Sequence, residues 1–176
     1  MDTPDFEKVV EDFYMPLYRF GLALSRSETE AQDLTQQTFY IWATKGHQLR
    51  DGSKIKTWLF TSLYREFLAG QRHQERFVGT DGSDDLTETE VELSKSAANQ
   101  LDGAIAHKAL LALPDYYRAP LMLFYLKELC YREIAEILDV PIGTVMSRIS
   151  RGKTLLRKVL AETATPDSRN PDSDTP

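Results

Sequence analysis

The sequence predicts an all-α protein made of two small helical modules joined by an acidic flexible linker, the second module being a helix-turn-helix. Apolar residues recur every three or four positions in both halves of the 176-residue chain, which is the spacing of one helical face. No alternating run indicates a strand, and no internal repeat of solenoid length is found. Between the halves, GTDGSDDLTETEVE lacks apolar periodicity and predicts a flexible connector.

The first module is predicted to contain three helices. The first carries an apolar stripe from Phe6 to Leu24, with Pro16 as a kink or break. Ser27 and Glu30 have the spacing of a capping box, which predicts the start of a second helix. After the breaking segment KGHQLRDGSK, a third helix is expected from Ile55 to about residue 71.

The second module is predicted to contain four helices, at residues 104–112, 116–128 and 131–138 and from Thr144 onward. The segment DVPIG separates the last two, since Pro141 ends one helix and Gly143 lies at the entry to the next. Val145, Ile149 and Leu156 mark the buried stripe of the last helix. The short turn and the polar outer face together predict a helix-turn-helix.

Charge is distributed unevenly along a chain whose net charge is −6. Residues 77–102 hold one basic and seven acidic side chains, whereas residues 103–160 hold nine basic and five acidic ones. The basic segment is therefore compatible with nucleic acid despite the acidic total. The N-terminus lacks a signal-peptide core, and no apolar run is long enough to span a bilayer, so a cytoplasmic protein is expected.

The chemistry of enzymes and metal sites is not indicated. Cys130 is the single cysteine and is expected to be a small buried hydrophobe. His47, His73 and His107 are scattered and form no convergent catalytic set. No catalytic residue, metal or cofactor is expected.

Two helices combine cations with aromatic or small polar side chains. The third helix and the loop before it could offer aromatic faces on which bases stack and cations that pair with phosphates. Binding of single-stranded nucleic acid requires both. A solvated bundle face is the alternative interpretation. The last helix could present hydroxyl and guanidinium groups to a major groove. There the alternative is an ordinary helical hairpin with a solvated cationic face.

The order of these parts resembles an extracytoplasmic-function (ECF) sigma factor of the sigma-70 family. In the first module, EAQDLTQQTFYIWA is similar to the family pattern D-L-x-Q-E-x-F-x-x-x-W, and IKTWLFTSLYREFL is similar to its strand-capturing helix. In the second module, the residues from ALPDYYR to GTVMSR follow the pattern L-P-x-x-x-R through Y-x-E-I-A to G-T-V-x-S-R. The resemblance covers residues 5 to about 160.

The resemblance implies a domain plan and a set of partners. Residues 5–76 would form a region 2-like domain, 77–102 an acidic linker, 103–160 a region 4-like domain and 161–176 a disordered tail. The protein would bind core RNA polymerase through the clamp helices of the largest subunit and the flap of the second-largest subunit. It would recognise the −35 and −10 promoter elements and melt DNA without catalytic residues. An anti-sigma factor is a further possible partner.

Three groups of contact residues follow from the resemblance. The core polymerase would be contacted by Asp33, Leu34, Gln36, Gln37, Phe39 and Trp42. The −10 element would be contacted by Arg50, Lys54, Lys56, Trp58, Phe60, Tyr64, Arg65 and Arg72. The −35 element would be contacted by Thr144, Met146, Ser147, Arg148, Ser150, Arg151 and Lys153.

Two positions depart from the family pattern. Gln37 stands where an acid is usual, so docking is expected to lack one ionic contact, and phosphorylation of Thr35 or Thr38 is a hypothetical way to restore the charge. Met146 stands where Lys or Arg is frequent and could offer an apolar contact to a thymine methyl. Two other classes remain open, an autonomous repressor or activator and a small enzyme, although no ligand-binding domain or convergent catalytic set is found.

Overall fold

The computed structural model describes residues 5–77, 108–127 and 129–163. Within these ranges the chain is helical and contains no strand, which confirms the predicted all-α class. The first module consists of α1 (Phe6–Ser25), α2 (Glu28–Lys45) and α3 (Ile55–Phe77), with short 3-10 turns at Gly46–Gln48 and Gly52–Lys54. The second module has a helical turn at residues 108–111, then α4 (Asp115–Lys127), α5 (Tyr131–Leu138) and α6 (Ile142–Thr163).

The helix α1 runs without a break through Pro16. Proline removes one backbone hydrogen bond, but Val9, Leu17 and Phe20 on either side of it are buried in the core. The continuous apolar face therefore keeps the helix intact, and the predicted break is absent. At the next helix, Ser27 accepts a hydrogen bond from the Glu30 backbone N–H at 3.3 Å, which confirms the predicted start of α2.

The second module contains the predicted helix-turn-helix. Asp139 ends α5 in the left-handed region at φ 53°, and the chain turns through Pro141 into α6. The Pro141 carbonyl accepts from the Thr144 and Val145 N–H groups at 2.9 and 3.2 Å. Ile134, Ile137 and Val145 are buried where the two helices meet.

Cys130 corrects one prediction, because it is exposed rather than buried. It lies at the N-cap of α5, where Glu133 reaches back to accept from the Cys130 N–H at 2.9 Å. A capping position lies outside the helix and need not face the core. The position is thus set by helix-end geometry and not by the apolar character of the thiol.

The two modules pack against each other. Helix α1 contacts α4 and helix α3 contacts α5, and buried apolar residues of both modules form one continuous cluster. Leu24, Leu59 and Phe60 belong to it from the first module, and Leu123 and Ile134 from the second. Helix α6 ends at Thr163, three residues inside the predicted tail, and the rest of the tail and residues 78–102 of the predicted linker lie outside the described residues.

Candidate nucleic-acid interface

The outer face of α6 carries most of the residues predicted for duplex DNA. Met146, Ser147, Ser150 and Arg151 are exposed, and their spacing of one, three and four positions brings them onto adjoining parts of one helical surface. The Ser147 hydroxyl donates to the Thr144 carbonyl at 3.0 Å, which holds it close to the helix. This surface offers two hydroxyl groups, one guanidinium and one thioether.

Two cations of the predicted −35 set lie elsewhere on α6. The Lys153 ammonium lies 4.3 Å from the ring centre of Phe124 and 5.6 Å from that of Tyr125, as in a cation–π contact. Arg148 is half-buried and lines a groove between the modules together with Tyr64. Thr144 is also half-buried. Among the predicted cations of α6, Arg151 is therefore the one whose side chain is exposed.

Gly152 has a structural role that the sequence pattern did not reveal. It is buried where α6 crosses α4, and a Cβ atom at this position would lie 2.7 Å from Leu121 Cδ1 and 3.3 Å from Tyr117 Cβ. The absence of a side chain permits the close approach of the two helices. Gly152 therefore allows α6 to pack closely on α4. Its role is visible only from the crossing of these two helices.

The first module presents exposed cations along its third helix and in the loop before it. Arg50 and Lys54 lie in the loop before α3, and Arg65 and Arg72 lie along the helix. The Arg72 Nε donates to the Leu68 carbonyl at 3.2 Å, which fixes the guanidinium against α3. This part of the predicted single-strand surface is thus open to solvent.

The remaining predicted −10 residues are less accessible. Lys56, Trp58 and Tyr64 are half-buried, and Trp58 meets Trp42 edge-to-face with ring centres 5.2 Å apart. The pKa of the Tyr64 hydroxyl is raised, chiefly by burial. The charge of Arg148 lowers this pKa and that of Asp115 raises it. Phe60 is fully buried with its ring centre 5.5 Å from that of Phe20, which contradicts its prediction as a DNA contact.

An acidic groove of about 710 Å³ lies between α2 and α3. It brings together four residues of the predicted polymerase-docking set with four others. The lining residues are Glu30, Asp33, Leu34, Gln36, Gln37, Tyr40, Glu66 and Gly70. Burial raises the pKa of Glu30, and the neighbouring Asp33 raises it further, as expected for carboxylates that share a site. Sequence reasoning missed Glu30 and Glu66 because the fold, and not the α2 motif alone, brings them here.

Phe39 and Trp42 do not line this groove. Both are buried, Phe39 beside the rings of Phe6 and Tyr14 and Trp42 beside Trp58. Their prediction as direct contacts is therefore contradicted, because these side chains hold α2 on its neighbours.

The hydroxyl groups of Thr35 and Thr38 are inaccessible. Both residues have no exposed surface, and their hydroxyls donate at 2.7 Å to the Ala31 and Leu34 carbonyls. A kinase cannot reach such groups in the folded chain, and a phosphate would not fit in the core. The phosphorylation hypothesis is therefore wrong for this fold.

The described residues contain no group of three or more His, Cys, Asp or Glu side chains arranged to hold a metal ion. None of the helices in these ranges combines the length and the apolar character that crossing a membrane requires.

The comparison with known families matches both modules in the same order. Residues 9–77 match Sigma-70 region 2, and residues 104–156 match Sigma-70, region 4. The ECF RNA polymerase sigma factor SigM of Bacillus subtilis is 30% identical over 153 residues, covering 86% of this chain and 92% of SigM. This chain belongs to the ECF group of the sigma-70 family. A sigma factor is a non-catalytic protein that acts with RNA polymerase and promoter DNA in transcription initiation.

Other relatives place the similarity over nearly the whole sigma factor. SigW of Bacillus subtilis, also an ECF RNA polymerase sigma factor, is 28% identical and aligns over 92% of this chain and 91% of its own length. The sigma factor RpoE of Bartonella quintana, solved in complex with the anti-sigma factor NepR, is 30% identical with a TM-score of 0.71, over 88% of this chain and 98% of RpoE. CnrH, solved with the cytosolic domain of CnrY, is 20% identical with a TM-score of 0.61 and shares the fold.

Proposed function

We propose that this sigma factor recognises the −35 element with its second module and the −10 element with its first, and that it promotes melting of the −10 duplex. The observation that carries the proposal is the exposed face of α6, which follows a short turn and presents Ser147, Ser150 and Arg151. Such side chains can read base edges and contact phosphates in a major groove. The corresponding domains are residues 5–76 and 103–160, with a linker at 77–102 and a tail at 161–176.

For the −10 element, the exposed cations Arg50, Lys54, Arg65 and Arg72 support phosphate binding along α3 and its preceding loop. Melting needs no covalent chemistry. Unpaired bases held on protein surfaces offset the lost stacking and pairing, a cost of a few kcal/mol per base. Trp58 and Tyr64 are the aromatic residues of the proposed set that keep partial exposure.

The acidic groove between α2 and α3 is the proposed docking site for core polymerase. Glu30, Asp33 and Glu66 give it negative charge, while Gln36 and Gln37 add amide groups that donate and accept hydrogen bonds. A basic helical segment of the polymerase clamp is the complementary partner, and the flap of the second-largest subunit is the proposed partner of the second module. By analogy with RpoE and NepR, we also propose that an anti-sigma factor binds this chain.

Run-off transcription with purified core polymerase tests the proposal. Promoter-specific transcripts are expected only when the sigma factor is present, and permanganate should detect unpaired thymines in the −10 region. Arg151→Ala should lower the affinity for a −35 duplex uniformly or at one base position, whereas Lys8→Ala, which removes an exposed cation of α1, should not. Equal transcription by Arg151→Ala and Lys8→Ala would refute the assignment of the α6 face.

A further inference from the structure

Two large apolar side chains are exposed at the start of α6. Ile142 is 48% exposed and Met146 is 51% exposed, whereas Val145 and Ile149 of the same helix are buried. Residues four positions apart lie side by side on a helix, with Cβ atoms about 5–6 Å apart. Ile142 and Met146 therefore form one apolar ridge on the first turns of α6, and this ridge faces away from the core.

The packing of α6 does not account for the ridge. The helix is held on its module by the buried side chains of Val145 and Ile149 and by the close approach of Gly152 to α4. A single exposed apolar side chain is common on proteins. Two adjacent ones leave apolar surface in water that polar residues would not, and the fold gains little from them. Their place on the outer face therefore suggests a partner.

The ridge continues into a polar and cationic surface on the same side of α6. Exposed Ser147, Ser150 and Arg151 follow it, and two more exposed cations, Arg157 and Lys158, lie further along the helix. Helix α6 holds five cationic side chains and one acidic one. A partner of this surface must therefore offer negative charge beside an apolar group.

Duplex DNA combines these two properties in its major groove. Phosphates form the walls of the groove, and the C5-methyl of thymine is the apolar group that base edges present there. The N-terminal residues of a recognition helix are the ones that contact base edges. Ile142 and Met146 occupy that part of α6, so thymine methyl groups fit them in both position and chemistry.

The polar groups near the ridge leave base readout at the start of α6 to apolar contact. The Ser147 hydroxyl already donates to the Thr144 carbonyl at 3.0 Å, so its oxygen can still accept a hydrogen bond but its proton is used. No charged side chain lies between Ile142 and Ser147 in the sequence. Arg151 follows Ile142 by nine residues, which places it about 14 Å further along the helix axis.

We propose that Ile142 and Met146 are specificity-determining residues of the −35 contact, and that they bind the C5-methyl groups of two thymines in the major groove. This inference rests on the proposed function of the second module. The sequence pattern indicated such a contact for Met146 alone, and the ridge adds Ile142. Side chains about 5–6 Å apart match thymines one or two base pairs apart, on one strand or on opposite strands, since successive base pairs rise about 3.4 Å.

The base preference is tested first, by selection. Full-length protein assembled with core polymerase selects promoter duplexes from a pool in which the −35 segment is randomised. The enriched duplexes should contain two thymines that are neighbours or are separated by one base pair. Met146→Arg should change one of these thymines to guanine and leave the other, because arginine pairs with guanine in the major groove. Enrichment of the same bases by wild type and Met146→Arg would overturn the inference.

The methyl contact is tested by replacing each thymine of the selected duplex with deoxyuridine, which removes only the C5-methyl group. The affinity of the wild-type complex should fall about two- to fivefold at each of the two positions, as expected when one methyl group is no longer buried. Met146→Ala should abolish the loss at one position and Ile142→Ala at the other. Losses that persist in both variants would show that the DNA alone responds to the methyl group, and would contradict the inference.

Arg157→Ala is the matched control, because it removes an exposed cation of the same helix. It should change the affinities for the thymine and deoxyuridine duplexes by the same factor, so their ratio should equal that of wild type. All three side chains are exposed, and the variants should keep the circular dichroism of wild type. If Met146→Ala lowers the affinity for core polymerase but not for DNA, the ridge is a protein contact and the inference fails.

The outcome is separable from that of the proposed function. If the wild-type complex enriches no −35 sequence, the proposed promoter recognition fails together with this inference. If it enriches a sequence in which deoxyuridine leaves the affinity unchanged, promoter recognition stands and the methyl contact alone is refuted.

Discussion

Gly152→Ala should destabilise the sigma factor although alanine favours helices. The new Cβ would lie 2.7 Å from Leu121 Cδ1 and 3.2 Å from Leu121 Cγ, and Leu121 is fully buried, so it has little room to move. Overpacking of this kind costs about 1–3 kcal/mol. The helix preference of alanine over glycine offsets about 1 kcal/mol of that. A net loss of about 1 kcal/mol in the free energy of unfolding is expected.

Gly143→Ala provides the matched control on the same helix. No atom lies within 4 Å of the Cβ that it would add, and its φ is not positive. This variant should therefore gain up to about 1 kcal/mol. Urea unfolding followed by circular dichroism measures both free energies of unfolding. The two variants should differ from each other by about 2 kcal/mol, with Gly152→Ala less stable and Gly143→Ala more stable than wild type. If Gly152→Ala is as stable as Gly143→Ala, the close crossing of α4 and α6 is not what requires glycine.

Three other predictions concern residues that the structure reassigns or explains. Thr35→Glu should destabilise the fold by at least about 3 kcal/mol in thermal unfolding because it buries an unpaired carboxylate, whereas Thr35→Val should cost about 1 kcal/mol. If Thr35→Glu is as stable as Thr35→Val, the argument against phosphorylation at this position fails. Gln37→Glu should change the affinity for core polymerase less than about fivefold at low salt, since Glu30, Asp33 and Glu66 already charge the groove, and a tightening beyond tenfold would contradict this. Glu133→Gln should cost about 1 kcal/mol at pH 7 through the weakened cap of α5. Burial raises the pKa of Glu133, but hydrogen bonds from Cys130 and the charge of Lys56 hold this pKa below its ordinary value of 4.5. The stability difference between wild type and Glu133→Gln should therefore persist above pH 4.5 and shrink as the pH falls through the lowered pKa. A stability difference that stays constant down to acid pH would exclude the carboxylate as its source.

The position of each helix along the chain could be predicted from sequence because its determinants are local. Apolar spacing located all the long helices, the Ser27 and Glu30 pair marked the start of α2, and the DVPIG segment marked the turn before α6. These signals depend on residues a few positions apart. Pro16 and Cys130 show where the local signal fails, since packing on both sides preserved α1 and a capping position exposed the thiol.

The chemical character of the α6 face could also be predicted from sequence. Met146, Ser147, Ser150 and Arg151 are exposed, as a helical period places them opposite Val145 and Ile149. Phe60, Phe39 and Trp42 were misassigned because a motif gives the position of an aromatic residue along the chain but not whether a neighbouring helix covers it. Burial depends on helices that are distant in sequence.

The sequence alone determined the helices, their order, the helix-turn-helix and the sigma-70 family of the chain, because each depends on residue type and short spacing. Only the tertiary structure decided that Glu66 of α3 joins Asp33 of α2 in one acidic groove, that Gly152 must lack a side chain, and that Arg118 reaches the carbonyl of Ala23. Arg118 and Ala23 are 95 positions apart in the chain, and no periodic pattern connects residues at that distance. Contacts of this kind arise when packed helices bring their ends together, and their energies depend on burial that only the folded chain creates.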